Sequence, residues 1–119
     1  MQNFRKLHVW EKAHALALAI QSLTASIPRR GNTGLIDQLR RSALSIPANI
    51  AEGAGKSTSL EFARFLQIAY GSANEVDYHL QFAADSGLIP RADFDALRAE
   101  AIEIRKMLIG LMRRARGTS

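Results

Sequence analysis

At 119 residues the chain can build one hydrophobic core but not two. Its 47% hydrophobic and 23% charged residues fit a folded protein and exclude a disordered one. The absence of cysteine excludes disulfides, zinc–thiolate sites and cysteine nucleophiles, while a net charge of +5 and a pI near 10.2 favour a polyanionic partner.

The opening segment, M-Q-N-F-R-K-L, contains no apolar signal core. No apolar run approaches the roughly 20 residues that span a bilayer, so no membrane partner and a cytoplasmic location are expected. Four helical segments follow within a single domain over residues 1–119. The first, about 8–27, carries Val9, Ala13, Leu16, Ile20, Leu23 and Ile27 in steps of four and three. Pro28 ends it, and R-R-G-N-T-G reads as a turn. The second runs from about 35 to 52, where Gly53-Ala54-Gly55 breaks the pattern. The third, about 59–86, opens at Thr58 with Glu61 three residues on, the spacing of a capping box. Its seam is Phe62, Leu66, Ala69, Ala73, Val76, Leu80 and Ala83, and Gly87 is placed as its C-cap. The fourth, about 91–115, follows Pro90 and carries Phe94, Leu97, Ala101, Ile104, Leu108, Leu111 and Ala115. Four stripes with short connections predict an all-α, up-down-up-down antiparallel four-helix bundle.

The second helix holds the least expected residues. Q-L-R-R-S-A-L-S-I-P-A-N-I-A-E-G, residues 38–53, places Pro47, Asn49 and Glu52 within an otherwise apolar helix. Pro47 costs roughly 3 kcal/mol inside a helix, and Asn49 and Glu52 need partners or water. At about 100° per residue, Leu39, Ala43, Ile46 and Ile50 form the core face. A second face carries Leu44, Ala48 and Ala51. A third carries Ser42, Ser45, Asn49 and Glu52. In the third helix, Leu60, Tyr78 and Phe82 fall near Gly71, opposite the core seam. Scattered surface apolar residues are ordinary, but two helices with spare apolar faces favour self-association through Leu44, Ala48, Ala51, Leu60, Tyr78 and Phe82.

The polar stripe could line an active site, yet it has no His, Lys or second carboxylate at acid–base spacing. The structural alternative gives Ser and Asn to the carbonyl freed by Pro47 or to a neighbouring helix. Glu52 then caps the third helix or pairs with Arg41 or Lys56. A buried polar set of this kind is expected to fix register.

L-H-V-W-E-K-A, the 38–53 segment, and E-F-A-R-F-L-Q-I-A-Y-G-S-A-N-E together resemble the four-helix-bundle proteins often encoded within intervening sequences of 23S ribosomal RNA genes. The accessory bundle of diversity-generating retroelements is similar. The resemblance covers nearly the whole chain and implies a ring-like homopentamer. Its motif falls on Arg41, Ser45, Pro47, Asn49, Glu52, Gly53, Glu61, Gly71, Ser72 and Glu75. Family members often carry an acidic residue where this chain has Gly31 and a basic one where it has Tyr70.

On the fourth helix, Arg91, Arg98, Arg105, Lys106, Arg113 and Arg116 lie within about one quadrant. Asp95 interrupts them, and Arg114 falls on the acidic side with Asp93, Glu100 and Glu103. Such a stripe reads as a phosphate-binding footprint or as one side of inter-helix or inter-subunit ion pairs. With Arg40, Arg41 and Lys56, these residues are the candidate RNA or DNA contacts. No sequence-reading motif accompanies them, so binding should read the backbone.

A di-iron enzyme would need Glu-x-x-His on two helices. Glu11-x-x-His14 occurs once, His79 stands four residues after Glu75, and His8 precedes the first helix. No catalytic residue, metal, cofactor or small-molecule substrate is therefore expected. The sequence predicts a non-enzymatic oligomeric module binding nucleic acid, with a purely structural or protein-binding scaffold as the alternative.

Overall fold

The computed structural model describes residues 2–117. A short 3-10 turn at Phe4–Lys6 precedes four helices: α1 (His8–Thr24), α2 (Thr33–Ala54), α3 (Ser59–Asp85) and α4 (Arg91–Ala115). The described residues form no strand, and none of their helices is long and apolar enough to cross a membrane.

Three boundaries differ from the sequence expectation: α2 opens at Thr33, two residues early, and the ends of α1 and α2 shift for physical reasons. α1 stops at Thr24, short of Pro28, because the residues after it close tight turns. Ser26 and Ile27 donate their amides to Leu23 and Thr24, each at 3.1 Å, and the Ser26 hydroxyl takes the Leu23 carbonyl at 2.6 Å. Ile27 remains buried beyond the helix end. α2 continues through Gly53 to Ala54, so Gly53 does not break it.

Gly53 instead allows close packing. A Cβ there would lie 2.7 Å from Phe65 Cβ, a distance that real side chains do not tolerate, and a tight 3.3 Å from the Phe62 carbonyl. α3 can therefore approach the end of α2 only over a glycine. The N-terminal segment closes the same corner: the Gln2 amide donates to the Ala54 carbonyl at 2.8 Å. Phe4 then meets Trp10 edge-to-face at 5.0 Å.

The start of α3 is capped as the spacing predicts, with one change. Thr58 Oγ1 accepts from the Glu61 amide at 3.2 Å. The returning Glu61 carboxylate receives the Thr58 hydroxyl at 3.1 Å and not the Thr58 backbone amide. At the other end Gly87, at φ +74°, completes a Schellman turn in which the Leu88 amide reaches back to the Ala83 carbonyl at 2.9 Å.

Each helix packs against its chain neighbours and α1 closes on α4, while the diagonal pairs α1–α3 and α2–α4 have no backbone approach within 8 Å. The molecule measures 45 × 22 × 20 Å, its long axis set by α3, about 40 Å at 1.5 Å per residue. Ile20, Leu39, Ile46, Ile50, Leu66, Leu80, Ile104 and Leu108 are fully buried. Each such side chain contributes roughly 1.5–3 kcal/mol of burial. On α4 the seam shifts slightly: Met112 is buried, while Leu97, Leu111 and Ala115 are half-buried against the core.

Two glycine substitutions separate packing from helix propensity. Gly53→Ala is expected to cost about 1–3 kcal/mol, as overpacking does. Gly71→Ala, whose Cβ would meet nothing within 4 Å, should gain about 0.5–1 kcal/mol in the chain at high dilution. Urea unfolding of both checks this; a destabilised Gly71→Ala at high dilution contradicts it.

Candidate assembly and nucleic-acid surfaces

The polar stripe of α2 faces α3. Ser72 donates to Ser45 Oγ at 2.8 Å, and Asn49 Nδ2 donates to the Ser45 carbonyl at 2.8 Å and its hydroxyl at 2.9 Å. Ser42 donates to the Gln38 carbonyl at 2.9 Å and lies 3.3 Å from His79 Nδ1. The tautomer of His79 decides which of the two groups donates in that contact. The carbonyl that Pro47 frees is that of Ala43. Among the described residues no side chain donates to it, so Asn49 serves the Ser45 carbonyl and not the one first expected. The Pro47 ring itself is buried. Among the described residues no buried side-chain polar atom lacks a partner.

Glu52 pairs with Lys56 at 3.9 Å, both partly exposed. It does not cap α3, a role that falls to Thr58. Lys56 also sits 5.2 Å over the Phe65 ring. Glu75 and Arg41 are exposed on α3 and α2.

The basic stripe of α4 divides into two groups. Arg91 pairs with Asp85 at 3.4 Å, and Arg98 and Arg105 share Asp77 at 3.2 and 3.1 Å. Arg105 also donates to Asn74 at 2.7 Å, and Arg116 to Gln67 at 3.2 Å. These four arginines thus lie along the α3–α4 seam, and the inter-helix reading describes them. Lys106 and Arg114 face the opposite flank, beside the start of α1. Arg113 is exposed and interacts within the chain. Arg40 is half-buried and donates to Thr24 Oγ1 at 2.7 Å. Sequence reasoning missed Asp77, whose position across from two arginines depends on the register of α3 and α4.

Among the described residues six large apolar side chains are exposed: Leu18, Leu44, Leu60, Ile68, Tyr78 and Phe82. They form two areas. Leu44 borders the α1–α2 groove with Leu18, Ala17, His14, Arg40 and Arg41. Leu60, Tyr78 and Phe82 follow one line along the outer face of α3, with Ile68 beside it and Gly71 midway. Arg64 lies on the same face. Ala48 is exposed and Ala51 half-buried, so both are compatible with the first area. Leu18 and Ile68 escaped the sequence reading, although each is a large apolar residue off its helix's seam. Tyr70 is half-buried against the core, and Gly31 sits at φ +83° in an exposed turn, where an acidic residue would be strained.

The histidines are dispersed. His8 and His14 are exposed, and His14 stacks on Trp10 at 4.8 Å. No group of three or more His, Asp or Glu side chains among the described residues is placed to hold a metal ion. Among the described residues no carboxylate hydrogen-bonds His79, so the Ser42–His79 contact there lacks the third member that a nucleophilic triad uses.

The sequence model of the 23S rRNA-intervening sequence protein family matches residues 5–110. The fold is similar to the crystal structure of a protein of unknown function from the S23 ribosomal protein family of Bacteroides thetaiotaomicron VPI-5482. The TM-score is 0.80 at 28% identity, covering 88% of this chain and 98% of that one. No curated protein matches the chain.

Asp77→Asn removes the acceptor shared by two arginines and should cost about 1 kcal/mol of stability. The loss should shrink as salt screens the partly exposed pairs. Thermal unfolding at low and high salt measures it; an unchanged Tm at low salt would show that these pairs add nothing.

Proposed function

This chain belongs to the 23S rRNA-intervening sequence protein family, and we propose that it works as a non-enzymatic, self-assembling module that holds nucleic acid by its backbone. Consecutive helices alternate in direction, as connections at residues 55–58 and 86–90 favour. Copies associate through the outer faces of α2 and α3 into a ring-like homopentamer in the cytoplasm.

The observation that carries this reading is the outer face of α3. Leu60 is 70% exposed and Tyr78 64%, aligned with Phe82 around a glycine that no contact within the chain requires. A glycine inside a helix costs about 0.5–1 kcal/mol relative to Ala. Close approach of another backbone offsets that cost. The Ser42, Ser45 and Asn49 side chains of α2 are occupied within the chain, which leaves the apolar faces as the feature without a partner.

Support for nucleic acid as partner comes from cations without partners. The side chains of Arg30, Arg41, Arg64, Lys6, Lys106 and Arg114 make no hydrogen bond or ion pair among the described residues, unlike those of Arg91, Arg98, Arg105 and Arg116. Assembly would repeat this charge on each subunit, so weak backbone contacts add through avidity.

Phe82→Glu tests assembly and binding together. Wild-type chain should retain structured RNA at low salt, with affinity falling linearly in log salt. The variant should lose about a hundredfold or more in retention, because avidity goes with assembly. A loss no larger than that of Arg98→Glu, a seam residue, would favour the purely structural scaffold.

A further inference from the structure

Between the N-terminal segment and the later turns of α4 lies an open cavity of about 490 Å³, within the size range of small-ligand sites. Lys6, Lys106 and Arg114 line it, and no carboxylate does. None of the three side chains is engaged elsewhere among the described residues, although acids are near enough on other flanks to occupy Lys12, Arg98 and Arg105. Like charges gathered without a counter-charge repel one another. A bound anion removes that repulsion.

The floor is apolar, made by Leu7, Val9, Met107 and Leu111. Gly110 opens the wall: a Cβ there would meet nothing nearer than Arg114 Nη1 at 3.8 Å, so packing within the chain does not require the glycine. α1 begins at the same place. Its cap residue, Leu7, offers no side-chain acceptor to the first amides, and the helix dipole adds positive potential to that of the three side chains.

We propose that this cavity binds an organic phosphate. The phosphate sits among Lys6, Lys106 and Arg114, and the uncharged body of the ligand covers the Leu7–Leu111 floor. Three of the six cations named above line this cavity, while Arg30, Arg41 and Arg64 line no part of it and remain for backbone contact alone. A phosphate ester of this kind occurs as a free nucleotide or as one nucleotide of a strand.

Calorimetric titration of the full chain with AMP, inorganic phosphate and a short uridine oligonucleotide tests the proposal. AMP should bind, and inorganic phosphate about tenfold more weakly because it leaves the apolar floor uncovered. Gly110→Leu fills the cavity and Lys106→Glu reverses one of its charges. Each should weaken AMP about tenfold or more with the helical circular dichroism unchanged. Competition between oligonucleotide and AMP identifies the strand as the source; binding of AMP without competition identifies the free nucleotide. No binding of AMP by wild-type chain, or equal binding by Gly110→Leu, overturns the site. Structured RNA retained under that result would leave the backbone-binding function standing, so the two ideas fail separately.

Discussion

The approach of α2 to α3 sets the rest of the molecule. Gly53 lets the two backbones close over Phe62 and Phe65, and Ser45–Ser72 and Ser42–His79 fix how far along the helices meet. An apolar seam alone tolerates sliding by one turn with little change in buried area. Hydroxyl pairs do not, because a slip strands buried donors and acceptors at about 1–3 kcal/mol each. The costly residues of α2 therefore serve geometry. Pro47 is accommodated in the buried arc of the same helix, and its neighbours bond locally or across to α3.

Once that register is set, the flanks of α3 are assigned. One flank takes the α2 hydroxyls. The other presents Asp77 and Asp85 to the arginines of α4. Only the outer face remains, and it is the face with aligned large apolar side chains. The cations divide in the same way: those along the α3–α4 seam pair across helices, while the side chains of Arg30, Arg41, Arg64, Lys6, Lys106 and Arg114 have no hydrogen-bond or ion-pair partner among the described residues. A net charge of +5 thus overstates what a structural role uses and understates what a ring of copies would display.

The sequence made the helices and their core faces legible because burial follows a 3.6-residue period. Every seam residue named on α3 is buried, and α4 has the bounds its pattern predicts. The ends were less legible. Gly53 looked like a stop because a glycine that packs against Phe65 and one that ends a helix read alike in sequence. The α4 stripe could be read as a phosphate footprint or as one side of ion pairs because a helical wheel gives angle but not the neighbour, and Asp77 stands 21 residues from Arg98. The Lys6–Lys106–Arg114 cavity was illegible for the same reason, joining the first turn of the chain to its last helix.

The central claim is that the outer faces of α2 and α3 are covered by other copies of the chain. Light scattering after size exclusion, over a range of concentrations, tests it most directly. The account predicts a mass near five times 13.1 kDa, collapsing toward one when Phe82 is replaced by Glu. A wild-type mass of 13.1 kDa at every concentration would contradict it.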